Sequence, residues 1–253
     1  MSDMTFPIEH LIPTDDGTIR GLLWLPESAP ECGAPGLVVL QEIFGLSEFV
    51  KSRCADLARM GYAVLAPAVY DRLVGDEEEV PVVEADGEDF LQRSMDLVGR
   101  LDWDRAVRDG FAARDELAAQ EAVHGDRIGL VGFCFGGGLA FNIAAVAKQA
   151  GAPVAALVSY YGSALPGLLE LADDVDCPSL HHFGTKDSYI PLEQVEEIRE
   201  AVTAGGSREQ IHFELHEGAD HAFDNPNPMF HHPEASARAW VQTQAFLSEV
   251  LPA

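Results

Sequence analysis

A chain of 253 residues is long enough to bury a complete core and short enough to remain one domain. Hydrophobic residues at 47% and charged residues at 23% are ordinary for a globular protein and exclude wholesale disorder. The charge is not ordinary: 42 acidic side chains against 16 basic ones leave a net -26, a field that repels nucleic acid and anionic membranes and obliges any anionic substrate to find a local positive patch.

In chain order, HLIPTDDGTIRGLLWLP reads as a hairpin turning at Asp16-Gly17, followed by a surface connection, PESAPECGAP. GLVVL (36–40) and YAVLAP (62–67) are short valine-rich runs of the kind buried on both faces, and SEFVKSRCADLARM (47–60) between them has helical spacing. From Asp71 to Glu88 the chain is acidic and broken by proline and glycine, which suits a surface excursion; DEEE (76–79) within it reads as a solvated loop. Residues 89–118 are helical, as two helices broken near Gly99, so the variable excursion spans about 71–118 of a single domain, 1–253. RIGLVG (127–132), AALVSYYG (155–162), SLHHFG (179–184) and IHFELH (211–216) supply four more strands. The helical stretches between and after them begin at GGGLA, PLEQV and PEASA, the last two each with proline in the first turn. Such alternation predicts an α/β fold, a mainly parallel central sheet with helices on both faces and functional loops at the carboxyl ends of the strands.

Cys32, Cys54, Cys134 and Cys177 are far apart, with no CxxC, so a reduced, cytoplasmic compartment is expected. No basic segment leads into an apolar one at the N-terminus, and no apolar run is long enough to span a bilayer. A monomer is expected, because no exposed apolar stripe is evident; a homodimer is compatible with the same sequence. Adjacent histidines on a strand face opposite ways and no HExxH spacing occurs, so no metal is expected. Gly136 to Gly138 lack the lysine and hydroxyl of a phosphate-binding loop, and no cofactor is implied.

The chemistry concentrates at Gly132-Phe133-Cys134-Phe135-Gly136, a G-x-nucleophile-x-G turn with cysteine as the nucleophile. A sharp strand-to-helix turn leaves little room two positions either side, directs the thiol outward and sets it at a helix N-terminus, where partial positive charge favours thiolate. Taken alone, Cys134 could equally be a small buried hydrophobe. Its partners decide. Asp187, just past the strand ending near Gly184, and His221, just past the strand ending near His216, follow in the order acid then histidine. His221 is placed to accept the thiol proton and Asp187 to hold the imidazole tautomer.

With QEIFG (41–45), GYAVLAP, GFCFGG, the GTKD loop and the HAF loop together, the chain resembles the dienelactone hydrolase family of α/β-hydrolases from about Ile8 to Leu251. The resemblance implies an α/β-hydrolase fold, Cys134, Asp187 and His221 as the catalytic triad, and Glu42 as the glutamate that helps ionise the thiol. It also implies the backbone N–H groups of Phe135 and Ile43 as the oxyanion hole. The reaction implied is hydrolysis of a lactone or small ester through a thioester acyl-enzyme. Where the namesake enzymes carry an arginine for the substrate carboxylate, four residues after the histidine, this chain has Asn225, preceded by Asp224. Arg93 and Arg72 are the candidates for a substituting cation. Tyr70, Phe223, Phe133, Phe135 and Tyr189 are candidate pocket walls, each also readable as packing. The alternative reading is a non-catalytic, protein-binding scaffold on the same fold.

Overall fold

The computed structural model of the chain describes residues 6–28, 30–76, 78–83 and 89–253. Residues 1–5, Ala29, Glu77 and 84–88 lie outside the described residues, and with them parts of the acidic excursion and of DEEE. Two compact units are present, one extending to Gly129 and including Ala253, the other Leu130–Pro252.

In the first unit β1 (Ile8–Thr14) and β2 (Gly17–Trp24) form an antiparallel hairpin whose last pair is Thr14 with Gly17. The turn is therefore Asp15-Asp16, one residue earlier than predicted. Gly17 (φ 139°) already belongs to the strand, and a two-residue loop closes the ladder. β3 (Ala34–Leu40) and β4 (Ala63–Pro67) are buried at every position, run parallel and are joined by the crossover helix α1 (Glu48–Arg59). β4 pairs antiparallel with β2 on its other side. The helical region is α2 (Phe90–Val98) and α3 (Trp103–Ala118), interrupted at Gly99 as the sequence suggests. Asp102 starts α3 by accepting the Arg105 N–H at 3.0 Å, satisfying one of the free donors of the first turn.

β5 (Val123–Phe133) runs from the first unit into the second, four residues longer at its start than its apolar run, since Val123–Asp126 mix polar residues and glycine into the strand. The second unit continues with α4 (Phe135–Gln149), β6 (Ala156–Tyr160), β7 (Ser179–Gly184), α5 (Leu192–Val202), β8 (Ile211–His216) and α6 (Pro233–Val250). β6, β7 and β8 are mutually parallel. Pro233 opens α6 as expected, whereas Pro191 stands one position before α5, as its N-cap. Leu139, Phe141 and Ile143 of α4 are fully buried, each worth about 2 kcal/mol of apolar transfer. Every residue of β6 and β7 is buried, as a sheet covered on both faces requires. The arrangement is that of an α/β-hydrolase, a largely parallel sheet flanked by helices on both sides.

Candidate active site

The end of β5 and the start of α4 leave one residue between them, Cys134, at φ 53° and ψ -120°. A non-glycine residue held there costs about 1–3 kcal/mol and persists only when its surroundings over-determine it. They do so through the backbone. The Cys134 N–H donates to the Tyr160 carbonyl at 2.9 Å, and the Cys134 carbonyl accepts the N–H groups of Gly137 (2.9 Å) and Ser163 (3.2 Å). Gly132 is required because a Cβ there would overlap the Gly136 carbonyl group.

The loop after β7 carries Asp187. Its Oδ1 accepts the N–H groups of Tyr189 and Ile190 at 2.8 and 2.9 Å, which fixes the carboxylate and turns Oδ2 toward His221. The loop after β8 carries His221, whose Nδ1 donates to Asp187 Oδ2 at 2.8 Å while Nε2 faces Cys134 Sγ at 3.1 Å. Because the carboxylate claims the Nδ1 proton, Nε2 is left as the acceptor for the thiol proton. Burial opposes a charged imidazole here. The Cys134 charge and the hydrogen bonds His221 makes with Asp187 and Cys134 outweigh it and hold His221 well above its ordinary 6.5. Cys134, Asp187 and His221 are 7%, 5% and 8% exposed, low enough for these interactions to escape most solvent screening. Tyr161 and Tyr189 flank the imidazole with ring centroids 5.2 and 5.0 Å away, and Phe223 packs beneath Tyr161 at 5.2 Å.

Two residues here carry no sequence signal of their own. Asp220 Oδ1 accepts both the Ser188 N–H (2.8 Å) and the His221 N–H (2.7 Å), tying the acid loop to the base loop. Although burial disfavours its charge, those backbone donors keep the Asp220 carboxyl below the usual carboxylate range. Ser163, half-buried after β6, has its hydroxyl 3.9 Å from Cys134 Sγ.

Glu42 is fully buried just past β3, and the Ile43 carbonyl accepts the Tyr70 hydroxyl at 2.7 Å. Phe135 is the first residue of α4. Phe133 is fully buried against Tyr160, with ring centroids 4.8 Å apart. Arg72 grips the buried Asp109 carboxylate with two bonds, Nε to Oδ2 at 2.6 Å and Nη2 to Oδ1 at 2.7 Å, and also meets Asp16 at 2.8 Å. Arg93 lies on α2 beside Asp89, one helical turn away at 3.4 Å. The Asn225 side-chain oxygen caps a turn by accepting the Asn227 N–H at 3.0 Å. A cavity of about 570 Å³ in the first unit is lined by Thr14, Asp16, Arg105, Arg108, Asp109 and Asp115 among others; no triad residue reaches it. Of the histidines, His182 bonds His216 and Thr243, both at 3.0 Å, and His181 bonds Ser179 at 3.1 Å. Burial pushes His181 down to about 3 and His216 to about 4, so both are neutral packing groups. Among the described residues, no group of three or more potential ligands is placed to hold a metal, and no helix is long and apolar enough to cross a membrane.

A sequence model of the Dienelactone hydrolase family matches residues 19–251. The chain belongs to the dienelactone hydrolase family. Carboxymethylenebutenolidase of Pseudomonas putida is 30% identical over 237 residues, covering 92% of each chain. Among solved structures, m3DLH superposes with a TM-score of 0.76 at 28% identity, covering 97% of this chain and 98% of the other. A dienelactone hydrolase-like promiscuous phosphotriesterase from metagenomic libraries superposes at 0.77 with 24% identity, covering 98% and 99%, a likeness of fold. Family membership and the Sγ–imidazole–carboxylate chain together make this dienelactone hydrolase relative a cysteine hydrolase of the esterase type.

Proposed function

We propose that the protein opens a lactone or cleaves a small carboxylic ester through a thioester acyl-enzyme. The observation that carries this reading is the continuous chain from Cys134 Sγ through His221 to Asp187, at 3.1 and 2.8 Å. Nε2 takes the thiol proton as sulfur attacks the carbonyl carbon. The oxyanion forms opposite backbone donors, for which Phe135 N–H at the first turn of α4 and Ile43 N–H are our assignments. Collapse breaks the C–O bond, and the leaving alkoxide takes the proton from His221. A water then gives its proton to His221 and hydrolyses the thioester, returning the thiol. Following the family resemblance, Glu42 assists thiol ionisation.

Neutral substrates fit best, with the exposed Tyr189 as a wall, while Tyr70 and Phe223, fully buried, serve as packing. Asn225 stands where the namesake enzymes bind a carboxylate, Asp224 beside it is acidic, and Arg72 is engaged with Asp109. Arg93, itself paired with Asp89, is the other candidate for an anionic dienelactone, the substrate favoured by the name of the Pseudomonas putida relative. The family match runs through both units, which supports one catalytic domain. Four free thiols support a reduced, cytoplasmic setting, and we assign a monomer.

The test is steady-state hydrolysis of neutral lactones, short aryl esters and both dienelactone isomers by wild type and Cys134→Ala. Turnover of neutral esters abolished by the substitution supports the proposal. Efficient dienelactone turnover would replace the neutral preference, and equal background rates for both folded proteins would leave only the scaffold.

A further inference from the structure

The loop after β6 is built into the nucleophile turn more closely than connection alone demands. Tyr161, in left-handed backbone at φ 38°, donates its N–H to the His182 carbonyl at 2.7 Å. The neighbouring Tyr160 carbonyl receives the Cys134 N–H at 2.9 Å, and the Ser163 N–H returns to the Cys134 carbonyl at 3.2 Å. Side by side, the two segments approach so closely that a Cβ on Gly137 would stand 2.9 Å from Gly162 Cα and 3.1 Å from the Tyr160 carbonyl oxygen. Ser163 therefore cannot drift relative to Cys134. Its hydroxyl faces Sγ at 3.9 Å, the outer reach of an oxygen–sulfur hydrogen bond, and has no other hydrogen-bond partner among the described residues.

We propose that Ser163 is a positioning residue for the nucleophile, donating its hydroxyl hydrogen to the Cys134 thiolate on a side of the sulfur not taken by His221. This rests on the reading of Cys134 as the nucleophile. When Nε2 removes the thiol proton, sulfur gains a full negative charge, and the hydroxyl beside it gives a charge-assisted bond, stronger than the bond to the neutral thiol. The ion pair is thereby stabilised relative to the neutral pair. As sulfur bonds to the acyl carbon it loses that charge, and the hydroxyl is released. No proton leaves Ser163 at any stage. The contribution belongs to preparing the thiolate and to acylation, and it falls away once the thioester forms.

The measurement is the rate of iodoacetamide labelling of Cys134 across pH, read by mass spectrometry of the Cys134 peptide so that the other three thiols do not interfere, with kcat/KM for a neutral aryl ester alongside. In Ser163→Ala the half-maximal labelling pH should move upward and kcat/KM fall by about five- to tenfold, the scale of one hydrogen bond to a charged group at long range. Ser163→Thr, which keeps the hydroxyl, should return both toward wild type, and near-ultraviolet circular dichroism shows that each variant is folded. Coincident labelling profiles for wild type and Ser163→Ala would overturn the proposal, as would an alanine defect that threonine leaves unrepaired. A shifted profile in a protein that hydrolyses no ester would uphold the hydrogen bond and remove the proposed function instead.

Discussion

Mild acid should weaken this fold through its interior histidines before its carboxylates titrate. His181, fully buried between Phe213 (ring centroids 4.7 Å) and Phe141 (6.5 Å), is held down to about 3 by burial, and His216 to about 4. In the unfolded chain both return to about 6.5, so that state binds protons the folded state refuses, and stability is full above about pH 6.5 and lost as pH falls toward the folded values. Between about pH 6 and about pH 5, linkage assigns each of them roughly 1.2 kcal/mol of lost stability, about 2.4 kcal/mol together. His182, also lowered by burial and by its histidine neighbours, adds in the same direction. Against a total of about 5–15 kcal/mol this is a large fraction. His221 has the opposite sign, its raised value giving stability that is present below about pH 6.5 and lost as pH rises, so it does not add to the loss in acid. The assay is urea unfolding followed by tryptophan fluorescence at both pH values, for wild type and His181→Phe. Phenylalanine fills similar space but leaves the Ser179 hydroxyl without its 3.1 Å partner, so the variant's absolute stability will differ; the diagnostic is its pH dependence, which should be shallower by about 1.2 kcal/mol over this window. Equal pH dependence in the two proteins would refute the reasoning.

Two further outcomes separate catalysis from structure. Asp220→Ala removes the carboxylate shared by the Ser188 and His221 N–H groups and should lower kcat about tenfold with KM little changed, whereas Asp220→Asn, which keeps an acceptor oxygen, should recover most of it; a pure KM effect would place Asp220 in substrate binding. Arg72→Ala strands the buried Asp109 carboxylate and should cost about 3 kcal/mol in chemical unfolding. A KM increase confined to anionic substrates would instead return Arg72 to the site.

How the candidate site was legible follows from the distance over which each signal acts. The nucleophile turn is local, because Gly132, Cys134 and the helix that follows are dictated by backbone sterics within a few residues. Asp187 and His221 are legible because they follow the ends of SLHHFG and IHFELH, whose spans coincide with β7 and β8. The hairpin turn was misplaced by one residue because Asp16-Gly17 is a turn signal in any context, whereas the register that pairs Thr14 with Gly17 belongs to the whole ladder. Arg72 and Asp109 are 37 residues apart, and nothing near either residue announces their pairing.

The sequence by itself therefore determined the alternation of strands and helices, the cysteine turn and the order of acid and base, all set by periodicity and by short-range steric rules. Only the tertiary structure decided that Nε2 faces the sulfur at 3.1 Å, that Asp220 ties two catalytic loops, that Ser163 faces the thiol, and that His182 and His216 share a hydrogen bond. Those facts depend on where distant segments come to rest, and a hydrogen bond is made or lost within a few tenths of an ångström, finer than any residue pattern specifies.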